Sequence, residues 1–335
     1  MGSVVTPDQC PSSPGLVRRA ERQSPAIDNF AEVAYYDESD LARWITQKAV
    51  FLQQDYMNYP ALVHIETLAQ CNASCSFCPY VTMERKGTRM PDALVEKIID
   101  DLTAIPRSLH FQVSPYKISD PFLEPRLFDI LARINERLLS AAVSLITNGA
   151  ALTERNLEGL AKVKNVAYLT VSLNFYDPVE YQEVMGMPLA RTLGRLQDLK
   201  KHHANGAFDF PIRISRVSVS RAEDQGFVQW AKANYPQFEI CVLPRNDWLG
   251  AVDTGNFARG VPDVPCHRWF DFSITATGKV AMCCMDTKAE YPKGDVNDHH
   301  VLDIYNQPFL RKLRETLVSR RITGAPCDRC TYLSY

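Results

Sequence analysis

From residue 61 onward the chain alternates short apolar runs with longer amphipathic ones. The short runs cover 61–65, 109–113, 142–146, 166–173, 212–219 and 238–242, lengths that suit strands buried in a sheet. Between them, 91–105, 126–138, 153–163, 189–203 and 222–233 repeat apolar residues at helical spacing. Six strands separated by helices predict an α/β fold with a parallel sheet and right-handed crossovers. Before this, 36–59 reads as a helical lead-in with Leu41, Trp44, Ile45, Val50 and Leu52 as its apolar candidates. After about residue 266 the pattern changes to two short strands, 269–275 and 279–284, turned by Ala-Thr-Gly, then a helix near 308–319. Gly278 supplies the positive φ that such a turn wants. The expected organisation is a disordered start over 1–28 with an inert Cys10, a lead-in over 29–60, the α/β unit over 61–250 and a small α+β unit over 251–335.

Composition narrows the class. Apolar content of 46% and charged content of 23% are ordinary for a soluble globular protein. A net charge of −2 leaves no electrostatic footprint for nucleic acid. No run approaches the roughly 20 apolar residues that cross a bilayer, and the first 24 residues lack the apolar core of a secretion signal. A cytoplasmic location follows as the expectation, and in that reducing compartment the cysteines read as metal ligands rather than disulfides.

The segment Cys-Asn-Ala-Ser-Cys-Ser-Phe-Cys places Cys71, Cys75 and Cys78 in a C-x3-C-x2-C loop directly after the first predicted strand. With ten cysteines in 335 residues, companions at both spacings arise by chance for roughly one cysteine in a thousand. Three thiolates can hold three irons of a four-iron four-sulfur cluster and leave the fourth iron open, whereas ordinary ligation takes four. A zinc knuckle is the alternative, although zinc prefers four closed ligands in paired C-x2-C units. With Phe77 before the last cysteine, the loop resembles that of the radical S-adenosylmethionine superfamily. The resemblance implies a partial (β/α)6 barrel, a [4Fe-4S] cluster with S-adenosyl-L-methionine on its open iron, and reductive cleavage to a 5′-deoxyadenosyl radical that removes hydrogen from substrate. It implies also a one-electron donor such as flavodoxin or ferredoxin.

Cys266, Cys283, Cys284, Cys327 and Cys330 cluster late in the chain, with Gly278 five residues before Cys283. This order, with Gly294-Asp295-Val296 before a helix holding Leu313 and Arg314, resembles the shortened SPASM or twitch domain. The resemblance implies an auxiliary [4Fe-4S] cluster on Cys266, Cys283, Cys327 and Cys330. Cys284 is the spare, because neighbours on a strand point to opposite faces; a four-thiolate zinc site is the alternative.

For the S-adenosylmethionine pocket, the family's Gly-Gly-Glu-like segment corresponds to Lys117-Ile118-Ser119-Asp120-Pro121, where both glycines are missing and Asp120 replaces the glutamate. Asp120 is the candidate for the ammonium, or a helix cap. Thr147-Asn148-Gly149 matches the family's ribose-side loop. Ser172 and Asn174 end the fourth strand, and Tyr80 stands where an adenine contact is expected. Arg213 and Arg216 must face opposite ways, and Arg216 is the choice for a fork to the carboxylate.

An auxiliary cluster that accepts an electron from the substrate radical makes the net reaction a two-electron oxidation. The family resemblance extends to dehydrogenases of aminocyclitols, which implies a small-molecule substrate, a sugar or aminocyclitol, in specialised metabolism such as antibiotic biosynthesis. Arg245, His267 and Arg268 are candidate substrate contacts. Epimerisation is the other outcome, with Cys241 or Cys284 returning hydrogen to the substrate carbon. Maturation of a ribosomal peptide would call for a leader-binding module, for which residues 1–60 are too short and irregular. A non-enzymatic iron–sulfur or zinc module is disfavoured by the barrel pattern on both sides of Cys71.

Overall fold

The computed structural model describes residues 38–254 and 260–333. The expectations for 1–28, including Cys10, lie outside these residues, as does the start of the lead-in. Helix α1 (Glu38–Asp55) buries Leu41, Trp44, Ile45, Ala49 and Leu52, a stripe at helical spacing, while Val50 falls off the stripe and is exposed.

Strands β1 (Leu62–Ile65), β2 (Phe111–Ser114), β3 (Ala141–Thr147), β4 (Val166–Ser172), β5 (Ile212–Val217) and β6 (Glu239–Leu243) follow the six apolar runs. They pair in parallel in chain order. Helices α2 (Asp92–Leu102), α3 (Leu127–Arg137), α4 (Glu154–Leu160), α6 (Leu189–Ala204) and α7 (Arg221–Asn234) return the chain to the start of each next strand. Their starts are capped where side chains allow: Thr153 accepts from Asn156 N–H and Ser220 from Glu223 N–H. Helix α5 (Pro178–Met185) was not foreseen, because its eight residues bury only Tyr181 and Met185 and so carry almost no periodic signal.

The hairpin of β7 (Asp271–Ile274) and β8 (Lys279–Ala281) turns at Gly278, whose φ is +92°. A Cβ there would stand 2.2 Å from Asn297 Nδ2, so the turn requires glycine. β7 lies parallel to β1, and β9 (Gly294–Asp295) completes one nine-stranded sheet in the order β6-β5-β4-β3-β2-β1-β7-β8-β9. Helices α8 (Val301–Tyr305) and α9 (Pro308–Thr316) follow. Among the described residues no helix is long and apolar enough to cross a membrane.

Strand pleating divides the sheet into two chemically different faces. Val63, Ile65, Val113, Val143, Leu145, Leu169, Val171, Ile212, Ile214 and Phe272 join the helices in one large core. The alternate positions form the other, inner face, where apolar residues such as Leu62, Ile146 and Val217 are interspersed with two polar rows. Register aligns Tyr168, Ser144, Ser114, His64 and Ser273 in one row across β4-β3-β2-β1-β7. A second row runs Ser172, Ser215, Cys241 across β4-β5-β6. A strand set built only for stability would bury apolar side chains on both faces.

Candidate cofactor and substrate sites

The loop carrying Cys71, Cys75 and Cys78 leaves the C-terminal end of β1 and is held from two sides. Ser74 and Ser76 donate backbone N–H bonds of 3.0 and 2.9 Å to the carbonyls of Met185 and Val184 at the end of α5. Gly186 follows at φ +69°, where a Cβ would lie 1.8 Å from Ser74 Oγ. The unforeseen helix therefore clamps the loop. On the other side Glu66, fully buried, takes a two-pronged ion pair from Arg85 (2.6 and 2.9 Å) and accepts from Ala276 N–H. Arg85 also reaches the Thr287 carbonyl, so one charge pair ties the loop to the C-terminal segment.

The three thiols are partly exposed and close enough to affect one another. Burial pushes Cys71 up to about 12, with the Asp120 and Cys78 charges adding to it. Cys75 is raised by burial and by Cys78 and Cys71, and Cys78 by burial. Gathered thiolates that repel one another suit a cationic iron core, which favours their ionised forms.

The second group gathers around one cavity, lined by Cys266, Cys283, Cys327 and Cys330. Trp269, Arg268 and Arg320 share its wall; Arg268 Nε and Arg320 Nε and Nη2 are buried donors without a protein acceptor, and the Trp269 indole is directed at the Cys327 thiol. Four thiols ringed by unused N–H groups fit an anionic sulfide cluster, whose sulfurs accept such bonds. Cys284 does not line this cavity. β8 ends at Ala281, so the two neighbours diverge in a turn closed by Asp286 N–H on the Cys283 carbonyl, not through strand pleating.

Cys284 turns instead to the inner face, where its Sγ, a His64 ring nitrogen and an Asp271 oxygen all lie within 4.8 Å of one another. Both His64 nitrogens are shielded from solvent without a hydrogen bond of ordinary geometry, although the residue as a whole is only half-buried. Burial, then Arg268 and Lys117, lower its pKa to about 3 against the pull of the Tyr116 carbonyl, so the imidazole is neutral. Arg268 pairs with Asp271 (2.9 Å) and donates to the Tyr332 hydroxyl (3.0 Å). Because Arg268 also walls the thiol cavity, the cavity and the inner face share one guanidinium. Lys117 is anchored on the Asp286 and Cys284 carbonyls at 2.8 and 3.4 Å.

Around the first loop the structure redistributes several expected roles. Asp120 caps the 3-10 turn Pro121–Leu123 through Phe122 N–H and accepts from the Thr147 hydroxyl (2.8 Å) and Asn148 N–H (3.0 Å). Three of its roughly four acceptor positions are thus filled. Burial raises its carboxyl and these donors oppose the shift. The Thr147 hydroxyl is engaged internally, donating to Asp120 and accepting from Gly149 N–H. Asn148 stays beside the loop, donating to Asn72 (2.7 Å) and approaching Cys71 Sγ at 3.8 Å. Ser172 accepts from Asn174 on the inner face. Tyr80 packs with Ala69, Met83, Ile118 and Cys78.

Arg216 stands away from the inner face. It occupies the helix side of β5, where Asp224 (2.7 Å) and the Asn174 carbonyl (2.8 Å) take its guanidinium, while Arg213 is the one that faces inward, paired with Glu239. Arg245 stands near Arg216, which with burial lowers its pKa. Cys241 sits on the β6 inner face, in register with Ser215, far along the sheet from the Cys284 group. His267 is a packed core residue between Trp44 and Tyr332. Residues that sequence reasoning passed over are His64, Asp271, Ser273, Tyr116 and Lys117. The available signal was a histidine in strand alternation, Leu-Val-His-Ile, just ahead of the cysteine loop.

Comparison with known proteins agrees with this arrangement. Residues 65–211 match the Radical SAM superfamily and residues 266–331 match SPASM, an iron–sulfur cluster-binding domain. The chain is 29% identical over 278 residues to the S-adenosyl-L-methionine-dependent 2-deoxy-scyllo-inosamine dehydrogenase of Niallia circulans, covering 82% of this chain and 94% of that one. In fold it is similar to BtrN in complex with AdoMet and 2-DOIA (TM-score 0.50, 17% identity, 77% of this chain and 87% of that chain). It is similar also to Streptococcus suis SuiB bound to the precursor peptide SuiA (TM-score 0.61, 15% identity, 95% and 80%).

Proposed function

We infer that this chain, a radical S-adenosylmethionine enzyme with a SPASM iron–sulfur domain, oxidises a secondary alcohol of an aminocyclitol or similar polyol. The observation that carries the substrate class is the hydroxyl-rich inner face. Ser215 and Ser273 there are buried with unpartnered hydroxyls, and neither His64 nitrogen has a hydrogen bond of ordinary geometry. Buried polar groups without partners are costly, and a ligand dense in hydroxyls supplies both donors and acceptors for them. The dehydrogenase relative, matched over most of its length, acts on such a molecule.

Cys71, Cys75 and Cys78 would hold the first cluster, and Cys266, Cys283, Cys327 and Cys330 the auxiliary one. Bound there, the open-iron cluster with S-adenosylmethionine supplies reductive cleavage and a hydrogen-abstracting radical, and the second cluster a sink for the remaining electron. The protein's own part is positioning. The α5 clamp and the Glu66–Arg85 pair fix the loop relative to the inner face, and Arg268 holds Asp271 beside the auxiliary cavity. Asp120, with one acceptor position left, and Asn148, beside Cys71, are the groups placed to meet the methionine end. A flavodoxin- or ferredoxin-type protein in the cytoplasm would supply electrons, and the reaction would serve specialised metabolism such as antibiotic assembly.

The test is substrate-dependent 5′-deoxyadenosine formation by the anaerobically reconstituted enzyme. A panel containing 2-deoxy-scyllo-inosamine, related cyclitols and short cysteine-containing peptides should show stimulation by a cyclitol. Stimulation by peptides alone would overturn the reading.

A further inference from the structure

Resting on the dehydrogenation reading, we propose that His64, Asp271 and Cys284 form the seat of the reacting hydroxyl, and that His64 accepts its proton. The three ligand atoms lie within 4.8 Å of one another, so some point lies within about 2.8 Å of all three, the range of a hydrogen bond to oxygen. An oxygen at or just above that point meets all three side chains together. His64 is the member in need of a partner: both nitrogens are sealed from solvent without a hydrogen bond of ordinary geometry, and only the Tyr116 carbonyl stands near one of them, which leaves the other to accept. Asp271 is already paired with Arg268, and Lys117 stands close by on the Asp286 and Cys284 carbonyls. Two cations at its edge make the triangle a poor metal site and a good one for a neutral hydroxyl. In the same row across β1 and β7, Ser273 offers the unpartnered hydroxyl for a neighbouring substituent.

The location suits the chemistry. Cys284 is joined by one peptide bond to Cys283, and Arg268 pairs with Asp271 of the triangle while lining the auxiliary cavity. An alcohol seated here would give its O–H proton to His64, its carbon-bound hydrogen atom to the radical that the first cluster's S-adenosylmethionine would supply, and one electron to a cluster held in the auxiliary cavity. The C–O single bond becomes C=O, and atoms and electrons balance. Electron loss leaves a protonated carbonyl, whose O–H is acidic enough for even a weakly basic imidazole to take its proton, so an acceptor at the oxygen couples the two halves of the oxidation.

The experiment compares wild type, His64→Gln and His64→Ala in the two-cluster enzyme, using the cyclitol that wild type oxidises. Substrate binding is titrated, and ketone is counted against 5′-deoxyadenosine. His64→Ala should bind the alcohol about tenfold more weakly, and the analogue lacking the reacting hydroxyl should bind both proteins alike. His64→Gln keeps a hydrogen-bonding group but no basic nitrogen. It should bind within about threefold of wild type, yet its ketone yield per 5′-deoxyadenosine should fall about tenfold or more. A purely structural role for His64 would lower both products together and leave their ratio at one. Wild-type binding and a one-to-one ratio in His64→Gln would overturn the proposal even if His64→Ala failed to fold. If wild type gives no ketone from any cyclitol, the dehydrogenation reading fails by itself. The titration then still judges the hydroxyl seat: unchanged affinity in the variants overturns it.

Discussion

Cys71, Cys75 and Cys78 lie within eight residues of one loop, whereas Cys266, Cys283, Cys327 and Cys330 are drawn from a turn, a hairpin exit and the chain's last described segment. The first three remain partly exposed and are held by backbone bonds from α5 outside the loop. Of the second set Cys266, Cys327 and Cys330 are buried, and the four line one cavity together with unused guanidinium donors. An open corner has to admit a ligand, so its thiols sit on a loop at the mouth of the sheet. A cluster that only stores an electron gains from enclosure and from donors aimed at its sulfurs. The contrast teaches that local spacing can encode the open site, while the closed one depends on the folded chain.

The strongest way to break the comparison is to replace Cys71, Cys75 and Cys78 together with Ala. Iron should fall from about eight to about four per chain, and 5′-deoxyadenosine formation should vanish; retained cleavage would remove the loop from the chemistry. Next in size, Cys327→Ala should also leave about four irons but keep 5′-deoxyadenosine while ketone disappears, as product analysis by mass spectrometry would show. Equal loss of both products would mean that the two sites are not separable. Breaking the tie between them, Glu66→Ala should cost about 3–5 kcal/mol in denaturant unfolding, because Arg85 is left charged and largely buried. The smallest expected effect is that of Gly186→Ala, about 1–2 kcal/mol for the left-handed backbone plus displacement of Ser74. The Ser74→Ala background should restore part of the iron uptake, but not the backbone cost.

Periodicity located the six barrel strands and most of the helices because their helix-facing positions are almost uniformly Val, Ile and Leu. It missed α5, whose importance lies in two carbonyls and Gly186 rather than in a side-chain stripe. Local spacing singled out the Cys71, Cys75 and Cys78 loop, whereas the late cysteines could be grouped only by their order along the chain. The roles around them were not legible, since a hydroxyl such as Thr147 is as useful to a neighbouring carboxylate as to a ribose, and only proximity decides. Arg216 shows the same limit. Spacing placed Arg213 and Arg216 on opposite faces, yet which face is inner depends on the sheet's packing against α7. His64 and Asp271 stand more than 200 residues apart and meet only because β7 joins β1.

The account turns on a substrate alcohol that gives up its hydrogen atom on one side and its electron to the auxiliary site on the other. The most direct measurement is a single turnover in deuterated water, with 5′-deoxyadenosine and the cyclitol product both quantified. The account predicts one ketone per 5′-deoxyadenosine and no solvent deuterium at a carbon that keeps its hydrogen. A product of unchanged oxidation state carrying one deuterium at an inverted carbon would contradict it and make Cys284 or Cys241 a hydrogen donor instead.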